Sequence, residues 1–428
     1  MFEYMATLDK MLEGVELPRI LPVEQRHFDR YEEKPESVLR DKLEAGFRDD
    51  YRGRTIAITC GSRGIDGYTR LLRVMVAFFR ERGARPILIP AMGSHAGATA
   101  EGQTEMLRHF GVTEETIGAP VCASMDVVQV GTTERGMPVY ADAIAARADG
   151  ILLFNRIKPH TSFRGRYESG LIKMLVIGLG KQKGAAMTHF LRYENMARNL
   201  EEAAHAAFDA LPVLGGVGTV ENGYGRLAEV NVLTRDELFK EEPLILKRAF
   251  DYMPRIYLDT IDVLIVGGIG KDISGTGMDT NIIGRYHTNC ASGGPKVTKM
   301  GVLALTSRAG GNANGIGLAD FTTRRLMEQT DLEAMYVNTM TSGEPNSSRL
   351  PMALSCDRSV FRACVRQSGI QRTEDIRLVI IEDTKHIDRI YMSEAALREN
   401  CGAGNVKAVG EPFEIPFDAE GNLLGLFQ

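Results

Sequence analysis

The feature that most constrains this chain is a repeated order of β-branched run, glycine-rich turn and helical pattern. Thr55-Ile-Ala-Ile-Thr-Cys60 is followed by Gly61-Ser-Arg-Gly64 and then by 68–82, where Leu71, Leu72, Met75, Val76, Phe78 and Phe79 recur at helical spacing. Arg85-Pro-Ile-Leu-Ile-Pro90 reads as the next strand and ends in Met92-Gly-Ser-His95. A strand that returns through a helix pairs in parallel with its predecessor, so this order predicts βαβ units and a parallel sheet.

Further buried strands are expected at 150–155, 213–220, 263–267, 301–306 and 378–383, with helices at 195–211, 234–252 and 358–369. The helix at 234–252 is long and charged, is stopped by Pro254, and could cross from one domain to the next. A new set of strands opens after it, which puts a boundary near residue 255. The chain of 428 residues is long enough for two or three cores. The expected fold is α/β with two domains, each a largely parallel sheet with flanking helices, and an active site in the cleft between them. The spans are 1–254, 255–410, and an extended arm at 411–428 marked by Pro412, Pro416 and Gly421.

Composition removes several function classes. With 44% hydrophobic and 25% charged residues the chain reads as globular, and a net charge of −5 without a Lys/Arg-rich run argues against nucleic acid. Six cysteines without a C-x-x-C pair argue against a disulfide scaffold or zinc ribbon. The first residues carry acids where a secretory signal has a basic start and an apolar core, and no apolar run is long enough to span a bilayer. The expectation is a cytoplasmic protein with reduced thiols and no membrane partner.

Nucleotide motifs fail a strict test. Gly268-Ile-Gly270 and Gly178-Leu-Gly180 both lack the third glycine of a dinucleotide loop, and Gly270-Lys271 is followed by Asp272 where a phosphate loop needs serine or threonine. There is no H-E-x-x-H and no G-x-S-x-G. What remains is histidine and lysine. Of eight histidines, His95 and His160 lie in loops that follow strands, and His189 adjoins the glycine-containing stretch Lys181-Gln-Lys-Gly184. In an open α/β sheet such loops gather at one edge, where ligands bind. Histidine is the side chain that gives and takes protons near neutral pH.

The ordered set Arg63, Gly93-Ser-His95, Pro159-His160, Lys173 and His189 resembles the lactate racemase family. The resemblance extends to the spacing, with 32 positions from Arg63 to His95, 65 from His95 to His160 and 16 from Lys173 to His189. It implies an isomerase that racemises or epimerises C2 of a 2-hydroxy acid, using a nickel-pincer nucleotide (pyridinium-3,5-bisthiocarboxylic acid mononucleotide with nickel). Lys173 would carry the nucleotide covalently, His189 would be the protein's nickel ligand, and His95 and His160 would be the two acid/base groups. Arg63 would bind the substrate carboxylate and, with Ser62 and Lys158, contact the cofactor. Arg156, Lys181 and Lys183 could meet its phosphate or carboxylates, or form a solvated cationic rim.

The implied partners are a small hydroxy acid and, transiently, cofactor-making proteins; self-association stays open. The sequence departs from the family in Cys60-Gly-Ser-Arg63 and in a longer stretch between His160 and Lys173. In the second domain Gly284 and His287 stand where the family presents a glutamine and a lysine. Arg285 and His287 are therefore candidate substrate-binding residues, and a pocket opened by Gly284 points to a substrate other than plain lactate. The alternatives are a carrier of cofactor or metal, or a related oxidoreduction or isomerisation of an α-hydroxy compound.

Overall fold

The computed structural model describes residues 4–190, 193–402 and 404–427, leaving aside the side chains at 189, 190, 341 and 342. The chain divides into two compact units, Phe28–Met253 and a second made of Met1–His27 with Pro254–Gln428. Both are mixed α/β.

The unit Phe28–Met253 holds a five-stranded sheet in the order Arg85–Pro90, Thr55–Cys60, Gly150–Arg156, Val213–Glu221, Leu227–Thr234. The first four strands are parallel and the last is antiparallel to its neighbour. Cys60 pairs with Pro90 and Ile58 with Leu152, so these three strands end side by side. The helix Tyr68–Glu81 buries Leu71, Leu72, Met75, Val76, Phe78 and Phe79 against this sheet, as its spacing predicts. Each such side chain contributes about 2 kcal/mol of burial. The hairpin Val127–Thr132 and Pro138–Asp142 was not foreseen. Its first strand is largely exposed, so it lacks the apolar alternation by which a strand is recognised.

The expected helix at 234–252 begins later, at Leu238, because Thr234 closes a strand and donates through its N–H and hydroxyl to Glu237, each at 2.8 Å. It ends inside its own unit, so it is not a crossing helix. Pro243 sits within it and lacks the N–H that would bond the Phe239 carbonyl. That carbonyl instead accepts from the Tyr167 hydroxyl at 2.8 Å and from Arg166 at 3.3 Å.

The second unit carries an eight-stranded sheet, in the order Met352–Leu354, Phe321–Thr323, Lys296–Leu305, Thr260–Ile269, Leu378–Ile381, Arg389–Ser393, Ile20–Gln25, Val406–Ala408. The first five strands are parallel and each of the last three runs antiparallel to its neighbour. Residues 1–27, grouped by sequence with the first domain, supply a strand here. The tail beyond 410 is also more than a surface arm. Phe413 bridges to Ile20, Phe417 packs edge-on against Phe361 at 5.4 Å, and Tyr391 donates to the Leu426 carbonyl at 2.8 Å. Among the described residues no helix is long and apolar enough to cross a membrane.

Candidate functional site

In the five-stranded sheet the connections leave Thr55–Cys60 toward Arg85–Pro90 on one side and return to Gly150–Arg156 on the other. The loop after Thr55–Cys60 therefore lies where the strand order reverses, the place where such sheets bind ligands. It carries Ser62 and Arg63; the loops on either side carry His95 and His160.

Ser62 is buried, and its hydroxyl is hydrogen-bonded to Nδ1 of the exposed His95 imidazole. The His95 loop is held from below. Gln103, fully buried, donates to the carbonyls of Gly93 at 3.1 Å and His95 at 3.4 Å. Gly93 has φ +60° and donates to the Gly178 carbonyl at 3.2 Å. Arg63 is exposed, and no hydrogen bond or ion pair holds its guanidinium among the described residues. Crowding by neighbouring atoms and the charge of Arg156 lower its pKa.

Lys173 closes a short turn, Leu171–Lys173, that continues as a π-helix, Met174–Gly178. Such wide turns occur mostly at functional sites. Glu242, on the helix Leu238–Tyr252, caps this turn by accepting from the N–H groups of Leu171 at 3.1 Å and Ile172 at 3.0 Å. The approach requires Gly170, where a Cβ would lie 2.2 Å from the carboxylate. Burial raises Glu242 to about 8. Lys173 Nζ lies 2.6 Å from His160 Nε2. Burial, then the charges of Lys158 and Arg63, push the amine down to about 8, against the pull of Glu168.

His160 is fixed at several points. Its N–H donates to Glu168 at 2.6 Å, its Nδ1 accepts from the Ser162 N–H at 3.0 Å, and its ring lies 4.5 Å from that of Phe163. Glu168 is itself buried, which raises its pKa although it accepts from His160 and Gly165. Three expected residues thus gather around the Lys173 amine: His160 in contact, and Lys158 and Arg63 close enough to act on its charge. His95 joins them through Ser62, next to Arg63 in the chain. His189 belongs to the helix Lys181–Phe190, but its side chain lies outside the described residues.

Other expectations change. Lys181 is fully buried, at φ +54°, ion-paired with Asp142 at 3.0 Å and donating to the Pro90 carbonyl, so its charge is spent inside the fold. Lys183 lies over the Tyr140 ring at 4.3 Å, and Arg156 is paired with Glu221. In the second unit Arg285 is saturated: it is paired with Asp320 at 2.8 Å and donates to the carbonyls of Leu318, Val297 and Thr298. Gly284 has φ +66° and caps the helix Thr280–Ile283, and a Cβ there would lie 1.8 Å from the Pro295 carbonyl. It is glycine because the backbone needs it. His287 is buried, and burial with the nearby Lys271 lowers it to about 4, so it is neutral at physiological pH.

The residues that sequence reasoning missed are Glu168, Glu242, Gln103 and Asp142. A carboxylate or amide of this kind carries no local pattern; only its burial marks it.

Residues 55–200 match the lactate racemase N-terminal domain. No curated protein matches the sequence. Among solved structures, the chain is similar to the lactate racemase apoprotein from Thermoanaerobacterium thermosaccharolyticum, at 13% identity over 85% of each chain and a TM-score of 0.46. The segment that matches the lactate racemase N-terminal domain spans Ser62, Arg63, His95, Lys158, His160, Lys173 and His189.

Proposed function

We propose that the protein is an isomerase that racemises or epimerises a 2-hydroxy acid, with Lys173 as the attachment point of a nickel-pincer nucleotide. The observation that carries this reading is a lysine amine pulled down to about 8 and held 2.6 Å from a loop histidine at the reversal point of the sheet. An amine that deprotonates near neutral pH is a nucleophile, as covalent attachment requires. The cationic neighbours Lys158 and Arg63 suit an anionic nucleotide, so the residues fit the group. His189 is the proposed nickel ligand, since imidazole suits this metal.

When bound, the group supplies a hydride acceptor and donor. The chain supplies the rest. The Arg63 fork, with no hydrogen-bond or ion-pair partner among the described residues, takes the substrate carboxylate in two hydrogen bonds and fixes the α-carbon. His95, aligned by Ser62, exchanges a proton at Nε2 with the hydroxyl oxygen, and His160 serves as the second acid/base group. Inversion needs proton exchange in both directions, which two imidazoles provide.

The case for a substrate other than lactate rested on Gly284 and His287 in place of the family's clamp, and the fold accounts for Gly284 by its backbone and occupies Arg285, the candidate replacement binder, with Asp320. The proposal is therefore kept to 2-hydroxy acids as a class, and His287 is retained as a proposed substrate-binding residue. A carrier that only stores the cofactor is the second reading; it would need Lys173 and His189 but no Ser62–His95 pair. Co-expression with cofactor-making proteins, followed by intact mass and nickel analysis, tests both. The expected result is a covalent adduct with about one nickel per chain, absent from Lys173→Ala, and loss of optical rotation with a hydroxy acid. Adduct without racemisation of any hydroxy acid would favour the carrier. No adduct, from a host that loads a known family member, would sink both.

A further inference from the structure

The backbone that presents His95 is strained. Ala96, Gly97 and Ala98 have φ of +57°, +69° and +53°, three successive left-handed residues of which two carry a Cβ. Such a run persists only where its surroundings over-determine it. A buried ion pair supplies that constraint. Lys181 and Asp142 are both fully buried. An ammonium has three N–H groups and no acceptor. Among the described residues that of Lys181 faces Asp142 Oδ2 at 3.0 Å, the Pro90 carbonyl, and Gln103 Oε1 at 3.4 Å. Pro90 ends the strand from which the His95 loop departs, and Gln103 lies on the helix Ala100–His109 that follows the loop. An ammonium can face only the oxygen of an amide, so Gln103 must turn Nε2 toward the loop. There it donates to the carbonyls of Gly93 and His95. Reversed, the amide would set N–H against the ammonium and oxygen against two carbonyls.

We propose that Lys181 is a positioning residue for His95: held by Asp142, it orients the Gln103 amide, which fixes the strained loop that presents the imidazole. Lys181 is itself left-handed, at φ +54°, and opens the helix Lys181–Phe190 that carries His189. The loop of one acid/base group and the helix of the proposed nickel ligand are thus referred to a single buried point. The inference rests on the reading of His95 as an acid/base group, but the ties exist in the unloaded chain and are measured there.

The test is hydrogen exchange by NMR on the full unloaded chain, comparing wild type with Gln103→Met and with the double variant Lys181→Met/Asp142→Asn. The double variant removes the ammonium without stranding its counter-ion. Gln103→Met leaves the ion pair in place. The Gly93 N–H, bonded to the Gly178 carbonyl at 3.2 Å, should exchange about tenfold faster in both. Amides of the central strand Gly150–Arg156 should keep their wild-type rates. In the double variant the Gln103 side-chain protons should also lose about tenfold in protection. Loaded protein, assayed with 2-hydroxy acids beginning with lactate, should lose about tenfold in kcat with KM within about twofold, since Arg63 is untouched. Wild-type exchange at Gly93 in the folded variants would overturn the proposal, and so would full turnover with the loop loosened. A loaded wild type that racemises no 2-hydroxy acid would refute the function and leave the exchange rates to decide this inference. One that racemises, with Gly93 exchange unchanged in the variants, would do the reverse.

Discussion

Glu242 offers a quantitative test of how the Lys173 turn is held. Its carboxyl is buried, caps Leu171 and Ile172, and titrates at about 8 in the fold against an ordinary value of 4.5. A folded pKa above the unfolded one means that the native state binds the proton more tightly. The stabilisation is complete below pH 4.5 and is lost as pH rises to about 8. At about 1.4 kcal/mol per unit, the loss across that window is roughly 4–5 kcal/mol. Glu242→Gln keeps an oxygen to accept from both N–H groups but cannot ionise. It should match the wild type within about 1 kcal/mol at pH 4.5 and exceed it by roughly 4 kcal/mol at pH 8.5. The chain has no tryptophan, so urea unfolding is best followed by circular dichroism, with amide exchange at Ile172 as the local reporter. Parallel stability–pH curves for wild type and variant would refute the argument.

Gly284→Ala places a Cβ against the Pro295 carbonyl at a positive φ and should cost more than about 2 kcal/mol, measured by urea unfolding. Gly136→Ala, at φ +82° with open space around it, should cost only about 1 kcal/mol. Lys181→Met strands a buried Asp142 carboxylate and should destabilise by about 3–5 kcal/mol, and adding Asp142→Asn should recover much of the loss in thermal melts. Ser62→Ala removes the hydroxyl bonded to His95 Nδ1 while removing little burial. Turnover of the loaded enzyme should fall about tenfold by polarimetry, with stability changed by less than about 1 kcal/mol.

Much of this was legible because it is local. The helix Tyr68–Glu81 and the strands around it follow from spacing, and their order alone put Arg63, His95 and His160 at one sheet edge. What escaped was decided by burial or by distant chain. Lys181 looks like any loop cation until Asp142, 39 positions away, is brought to it. Gly284 reads equally well as an opened pocket or as a backbone requirement, and only the Pro295 carbonyl chooses. Arg285 likewise could not be told from a ligand-binding arginine before Asp320 and three carbonyls were placed around it. The swap of residues 1–27 into the second unit was hidden because a strand's sequence does not name its partner.

That swap has a consequence for how the chain is made. The strand Ile20–Gln25 is synthesised about 380 residues before its edge partner Val406–Ala408. At about 5–20 residues per second it waits roughly 20–75 s. Throughout that time it is an apolar segment with two open edges, the kind that pairs with other nascent chains. Pro22 and Glu24 sit within it, one without a backbone donor and one charged, and Arg19 directly precedes it. These residues cost the finished sheet a ladder bond, but they make the waiting strand a poor template for its neighbours on a polysome.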